Sequence, residues 1–189
     1  LAQDIISAET ELATAPADTD EFLISDAGTL KRIDASLVGC GGITNVQSFQ
    51  LTADVSISGT GYISSSWGAN SASTYTGIGS IVSQSSGTFS FSATGYYHVI
   101  FNWSGVFDGA SQDTSTFEIL GTTDNSSYNS IAQCIIFLDL VENKQENYSL
   151  HAFFNCNDTT NRKLRFGYGA SNGTDGFDFD GNASIPRTT

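Results

Sequence analysis

The sequence predicts an all-β protein, most of which forms an antiparallel sandwich, and three observations support this prediction. Apolar residues recur with a period of two in the segment Tyr96–Trp103, as they do on one face of a pleated strand. Turn-forming residues, mainly Gly, Ser, Thr and Asn, separate such segments at the spacing of a sandwich. No segment carries a helical period of useful length. With 39% apolar residues among 189, the chain can bury a core around these strands.

Residues 1–45 are predicted to form a separate small module. Two short strands, Glu21–Ser25 and Thr29–Ile33, flank an Asp-Ala-Gly sequence with turn chemistry, so they predict a β-hairpin. A lone two-stranded hairpin is marginally stable in water. We therefore expect Phe22 and Ile24 to be buried against other copies of the chain, and we interpret this module as a stalk for attachment and oligomerisation.

Residues 46–189 form the second predicted domain, in which short strands alternate with turn signals. The expected strands are, in chain order, Val46–Leu51, Ile57–Ile63, Gly79–Val82, Thr88–Phe91, Tyr96–Ser104, Phe117–Thr122, Tyr128–Leu140, Tyr148–Asn155 and Leu164–Tyr168. Their alternating patterns, and the polar connections between them, favour an antiparallel arrangement in two layers.

The strand Tyr96–Ser104 is apolar on both of its faces. Tyr97 begins one face, and Tyr96, His98 and Ile100 lie on the other. In an antiparallel protein, such a strand needs a sandwich interior on one side and a covering loop or a neighbouring subunit on the other. We predict that Tyr96, His98 and Ile100 belong to an interface between subunits.

Composition and motifs argue against several classes of function. The net charge of −13 and the seven basic residues do not provide the basic surface that nucleic acid requires. The longest apolar run, Cys134–Leu138, is too short to cross a bilayer, so we expect no membrane insertion. The two histidines, His98 and His151, are not accompanied by a hydrolase, metalloprotease or phosphate-loop motif. The sequence therefore predicts no enzyme activity and no cofactor.

An acidic, glycine-rich segment near residue 180 offers a candidate metal site. Asp178 and Asp180 share one face if the segment is extended, and Asp175 lies in a turn flanked by Gly. Carboxylate oxygens on a flexible loop are suitable ligands for Ca²⁺, although the spacing is not that of an EF-hand loop. The alternatives are a calcium site and a plain acidic loop.

Four aromatic residues set among Ser, Asn and Gly resemble an adaptable recognition surface. They are Tyr62, Trp67, Tyr75 and Tyr128. Tyr and Trp offer a large contact area at a low entropic cost, and Ser and Asn supply hydrogen bonds. We predict that these rings lie in loops that face a receptor; the alternative is that they anchor loops or contact other subunits.

The pattern formed by Phe89, Gly95, Tyr97 and Phe101 resembles the signature of the jelly-roll heads of complement and tumour-necrosis-factor proteins. This resemblance implies a jelly-roll sandwich that assembles as a homotrimer. It also implies a central last strand rich in Phe and Leu, whereas this sequence finishes with Ile185-Pro186-Arg187-Thr188-Thr189. We expect that strand to be absent, or to be supplied by another segment or subunit.

The hairpin module is similar to short modules of tail-fibre and virion proteins of bacteriophages, in particular marine phages. The similarity lies in residues 15–26 and in Leu30-Lys31-Arg32-Ile33. It implies a virion protein made in the host cytoplasm, a setting that unpaired cysteines suit. The expected function is a homotrimeric fibre or appendage whose head binds a host-surface glycan or protein, while residues 1–45 bind other virion proteins. The alternatives are a capsid decoration or cement protein and a secreted complement-like recognition module.

Overall fold

The computed structural model describes residue 17 and residues 19–35, 38, 43–70, 77–108, 114–137, 145–170 and 176–181. Within these residues the chain forms β-strands and no α-helix. The strands are β1 (Glu21–Asp26), β2 (Thr29–Asp34), β3 (Phe49–Leu51), β4 (Val55–Ile57), β5 (Thr60–Tyr62), β6 (Trp67–Ala69), β7 (Val82–Ser85), β8 (Thr88–Phe91), β9 (Gly95–Asp108), β10 (Thr114–Thr122), β11 (Tyr128–Phe137), β12 (Gln145–Cys156), β13 (Lys163–Ala170) and β14 (Gly176–Phe179). In this part of the chain no helix is long and apolar enough to span a membrane.

The chain divides into two compact units, Leu1–Ile43 and Thr44–Thr189. In the first unit, β1 and β2 form the two-stranded antiparallel hairpin that the sequence predicts, with Phe22 opposite Ile33. Its strands each extend one residue further than expected, to Asp26 and Asp34.

The second unit is an antiparallel sandwich of two sheets, as predicted. The first sheet has the strand order β12-β9-β14-β4, and the second has the order β11-β10-β13-β8-β7, with β5 also paired to β13. A separate two-stranded ladder joins β3 and β6. From β8 onward the chain changes sheet at every step except the hairpin between β10 and β11. This order is consistent with the expected jelly roll.

Aromatic side chains from both sheets fill the space between them. Phe101 and Trp103 on β9 are buried, and their rings contact rings of the opposite sheet. The ring centroids of Phe101 and Phe166 are 4.5 Å apart, and those of Trp103 and Phe117 are 4.8 Å apart. The period-two pattern that begins at Tyr97 therefore marks the core face of β9, as predicted.

Of the alternatives for the last central strand, supply by another segment of the chain describes the structure better than absence does. Gly176–Phe179 forms β14, which lies between β9 and β4 in the first sheet. Phe177 and Phe179 are buried, and Asp178 between them points away from the core. Because the strand is short and its neighbours are Gly and Asp, its composition resembles an acidic turn. Only the pairing of β14 with β9 and β4 shows that the two Phe side chains are buried in the core.

Several strand boundaries also differ from the prediction. The expected strand Ile57–Ile63 is divided into β4 and β5, because the chain turns at Gly59 and the two parts join different sheets. The expected strand Gly79–Val82 lies three residues later, as β7, and β6 was missed entirely. In contrast, Thr88–Phe91 has the predicted bounds.

Candidate assembly surface on the first sheet

The outward side of β9 and β12 carries large apolar side chains that remain accessible. Tyr96 is 84% exposed, Phe153 is 81% exposed and Ile100 is 43% exposed. In the antiparallel register, Phe153 lies opposite His98, and His151 lies opposite Ile100. These five residues adjoin one another across two strands. We call them the outer aromatic surface.

The two histidines of this surface belong to a row of hydrogen bonds. His98 Nε2 is 3.2 Å from His151 Nδ1, and His151 Nε2 is 3.0 Å from Ser149 Oγ. Ser149 Oγ donates in turn to Asn102 Oδ1 at 2.7 Å. One assignment of protons satisfies the whole row: His98 donates to His151, and His151 donates to Ser149.

Charge is absent from the outer aromatic surface, although the whole chain is strongly acidic. Its members are Tyr, His, Ile, His and Phe, and the neighbouring Ser149 and Asn102 are uncharged as well. The ring of His98 stacks on that of Phe153 with centroids 4.9 Å apart. Enrichment in aromatic residues and depletion of charge characterise the centres of protein interfaces. The surface therefore has the composition of an interface.

The same row also has the connectivity of a nucleophile, a base and an orienting group, in the order Ser149, His151 and His98. A hydrolytic site additionally needs a cleft that holds substrate beside the nucleophile. The cleft of about 310 Å³ beside β9 is lined by His98 but not by Ser149. The row therefore links β9 and β12 by polar contacts within the outer aromatic surface.

The prediction that Tyr62, Trp67 and Tyr128 stand in loops was wrong. Tyr62 lies in β5, Trp67 in β6, and Tyr128 is the first residue of β11. The guanidinium of Arg165 lies 4.2 Å from the ring centroid of Tyr62 and 3.8 Å from that of Tyr128, so both rings form cation–π contacts. Tyr75 lies outside the described residues.

Trp67 anchors the β3–β6 ladder to the core. Its ring is half-buried, and its centroid lies 5.2 Å from that of Phe89 and 5.4 Å from that of Phe166. Its Nε1 donates a hydrogen bond to the carbonyl of Ile63 at 2.9 Å. The alternative interpretation, in which the ring is an anchor, describes these contacts better than a receptor-facing role.

The calcium site stays a prediction. Asp178 lies within β14 and Asp180 directly follows that strand, but Asp175 lies outside the described residues. Asp180 Oδ2 accepts hydrogen bonds from Ser104 Oγ at 2.7 Å and from Gln145 Nε2 at 2.9 Å. Among the residues that the structure places, no three His, Cys, Asp or Glu side chains are grouped as metal ligands.

The hairpin of the first unit presents apolar side chains on both of its faces. Phe22 and Ile24 on one face are each 39% exposed, while Leu23 and Leu30 on the other are more exposed still. Ion pairs across the strands, such as that of Arg32 with Glu21, do not cover these side chains. A two-stranded ribbon of this kind gains stability when another chain covers it.

Comparison with known proteins identifies no family for this chain. No protein-family model matches the sequence, and no match was found among curated proteins. The resemblances to jelly-roll heads and to phage modules therefore rest on the residues themselves.

Several members of the candidate surface were not recognised from the sequence. His151 was noted only as a histidine without an accompanying catalytic motif, and Phe153 and Ser149 were not singled out. The alternation of Tyr148–Asn155 contained the relevant signal, because it placed the odd-numbered residues on the outward side. What the sequence did not provide was the register that sets Phe153 beside His98.

Proposed function

We propose that this chain is a non-enzymatic structural protein of a bacteriophage virion. Three copies form a fibre or appendage, in which the sandwich is the head and the hairpin unit is the attachment element. The observation that carries this proposal is the outer aromatic surface, whose uncharged and accessible rings suit burial against a sister chain. The resemblance to trimeric jelly-roll heads supports three copies as the number.

Burial of this surface provides the driving force for assembly. Removing one large apolar side chain from water stabilises a complex by about 1.5–3 kcal/mol. Tyr96 and Phe153 are almost fully exposed in the single chain, so each copy contributes two such side chains. The hydrogen-bonded row beside them satisfies its own polar groups, which lowers the cost of removing it from water.

The hairpin unit supplies the second part of the proposal. Because apolar side chains occupy both of its faces, one face can pack against sister copies and the other against a different virion protein. Residues 1–45 would thereby attach the head to the particle. The head would then project, with a glycan or protein of the host surface as its partner.

Oligomeric state tests the assembly step. We expect sedimentation velocity of the full chain to give about three times the 20.0 kDa of one copy. Phe153→Asp should shift the protein to monomers. Ile135→Asp is the matched control, because Ile135 is 54% exposed on β11 of the other sheet. A monomeric wild type, or equal dissociation by both variants, would contradict the proposal.

The location of the protein in a particle tests the virion assignment. Antibody labelling of purified virions in the electron microscope should mark either a few sites at the tail or many sites over the shell. The first pattern supports a fibre, and the second supports the alternative of a capsid decoration protein. Particles that carry no label would refute both.

A further inference from the structure

His98 and His151 form a pair of imidazoles on the outward side of the first sheet. They lie diagonally across β9 and β12, because His98 is opposite Phe153 and His151 is opposite Ile100. Both side chains are exposed, and they are the only two histidines of the chain. An ion in solution can therefore reach the pair.

The distance between the two rings suits the chelation of a metal ion. His98 Nε2 is 3.2 Å from His151 Nδ1. Two imidazole nitrogens bound to one tetrahedral ion, each about 2.0–2.1 Å from it, are about 3.3–3.4 Å apart. The two nitrogens therefore already have almost the separation that a shared ion requires. Binding needs rotations of the rings and no change in the pairing of the strands.

Neighbouring side chains hold the two rings in this arrangement. With His151 Nε2 donating to Ser149 Oγ at 3.0 Å, the lone pair of His151 Nδ1 faces His98. Ser149 Oγ is fixed in turn by its bond to Asn102 Oδ1 at 2.7 Å. The ring of His98 stacks on Phe153. Histidines that bind metals usually donate their second ring N–H to an oxygen, which fixes the tautomer and the orientation of the ring. Ser149 provides such an oxygen for His151.

We propose that His98 and His151 of one chain bind a divalent transition-metal ion of the Zn²⁺ class, through His98 Nε2 and His151 Nδ1. Imidazole nitrogens suit Zn²⁺, Cu²⁺ and Ni²⁺, whereas Mg²⁺ and Ca²⁺ prefer oxygen ligands. The site is therefore distinct from the predicted calcium site near residue 180. Because both ligands belong to one chain, the inference goes beyond the proposed function and does not depend on the number of copies.

Binding exchanges the proton between the two rings for the ion. In the hydrogen-bonded row, His98 Nε2 carries this proton and donates it to His151 Nδ1. When the ion takes its place, the proton moves to Nδ1 of the His98 ring by exchange with water. His151 keeps its proton on Nε2 and its bond to Ser149. Each ring supplies one lone pair to the ion, and water fills the other coordination positions, so the site is open.

The surroundings of the pair favour a cation. Among the described residues that adjoin the two rings, none carries a positive charge that would repel an ion; they are Tyr96, Ile100, Asn102, Ser149 and Phe153. The net charge of −13 attracts cations to the chain as a whole. A bound ion would connect β9 to β12, and it would stabilise the folded state because the unfolded chain does not hold the two rings together.

Titration of the full, untagged chain with Zn²⁺ tests the pair. We expect the wild type to bind one more Zn²⁺ per chain than His98→Ala or His151→Ala binds. Asn147→Ala is the matched control and should keep this ion, because Asn147 is exposed on the same side of β12. Ser149→Ala should weaken binding by about tenfold, as the loss of an outer-shell partner does, and Ser149→Thr should preserve it. Binding that neither histidine substitution reduces would overturn the proposal.

Pulsed electron paramagnetic resonance with Cu²⁺ identifies the ligands directly. Since the chain has only two histidines, a signal from two imidazoles per ion in the wild type assigns both of them. Fewer than two would overturn the proposal.

A mixture of variants separates a site within one chain from a site between chains. Equal amounts of His98→Ala and His151→Ala should give at most one imidazole per Cu²⁺, and recovery of two would place the ion between chains and overturn the proposal. Urea unfolding without metal shows that the variants are folded. Sedimentation velocity of the same samples records the oligomeric state, so a failure of metal binding and a failure of assembly are distinguished.

Discussion

At the scale of single residues, the turn between β7 and β8 shows how closely backbone conformation and packing are coupled. Ser86 and Gly87 have φ values of +48° and +72°, as the two central residues of a type I′ hairpin require. A Cβ atom on Gly87 would lie 2.0 Å from the carbonyl oxygen of Ile63. Position 87 therefore excludes every side chain, because its positive φ favours Gly and because a Cβ atom would clash with the Ile63 carbonyl.

Alanine substitutions at Gly59 and Gly87 separate the cost of backbone strain from the cost of the clash. Gly59 has a similar φ of +68°, but nothing lies within 4 Å of its Cβ position. We expect Gly59→Ala to lower the free energy of unfolding by about 1–2 kcal/mol through backbone strain alone. Gly87→Ala should cost about 1–3 kcal/mol more, because of the added clash. Urea unfolding of both variants measures the difference, and equal losses would contradict it.

Two aspartates couple stability to acidic pH. Backbone N–H groups of Ser127 and Ser126 and the Thr122 hydroxyl hold the pKa of Asp124 well below its usual value. The Asn161 side chain, together with backbone N–H groups of Thr160 and Asn161, lowers the pKa of Asp158. Because the folded state binds these protons less tightly, the stabilisation is complete above the ordinary Asp pKa of about 3.9. It is lost as pH falls below that value.

Acid unfolding of a variant tests this coupling. Asp124→Asn keeps an acceptor for the turn but removes the ionised carboxylate. We expect the variant to be less stable than the wild type at pH 7 and to lose less stability between pH 5 and pH 2. The measurement is the urea midpoint of the variant and of the wild type at each pH. Parallel pH profiles of Asp124→Asn and the wild type would refute the prediction.

At the scale of elements, β14 shows why short strands are difficult to predict from a sequence. Its four residues alternate Gly and Asp with two Phe, and they contribute two buried rings to the first sheet. The rings of Phe179 and Phe117 lie 5.6 Å apart, so this strand connects the two sheets. Longer strands such as β9 were predicted because an alternation over seven or more residues stays recognisable even where a single residue departs from it.

Truncation of one ring tests the importance of β14. Phe179 is fully buried, so Phe179→Ala should lower the free energy of unfolding by about 3–5 kcal/mol. Asp178→Ala, on the outward side of the same strand, should change it by less than about 0.5 kcal/mol. Similar effects of the two substitutions in urea unfolding would show that β14 is not a core strand.

At the scale of the whole molecule, electrostatic repulsion between the copies opposes the proposed assembly. Each copy carries a net charge of −13, so three copies repel one another at low ionic strength. The outer aromatic surface is uncharged, and its apolar attraction is not weakened by salt. Screening should therefore favour the trimer.

Salt dependence of the oligomer tests this balance. The distance over which charges act falls from about 30 Å at 0.01 M salt to about 8 Å at 0.15 M. We expect the trimer fraction in sedimentation velocity to increase over this range at constant protein concentration. An assembly that salt dissociates would indicate attraction between charged groups instead, and would exclude the outer aromatic surface as its basis.

The sequence by itself determined the fold class, the hairpin and the two-faced character of β9, because alternation along one strand is a local property. It also placed Tyr96, His98 and Ile100 together on the outward side. Only the tertiary structure decided which strands are neighbours, and with them the pairing of His98 with Phe153, the packing of Trp67 against the core and the central place of β14. Those features depend on contacts between residues distant in the chain, and local patterns carry no information about the register that creates them.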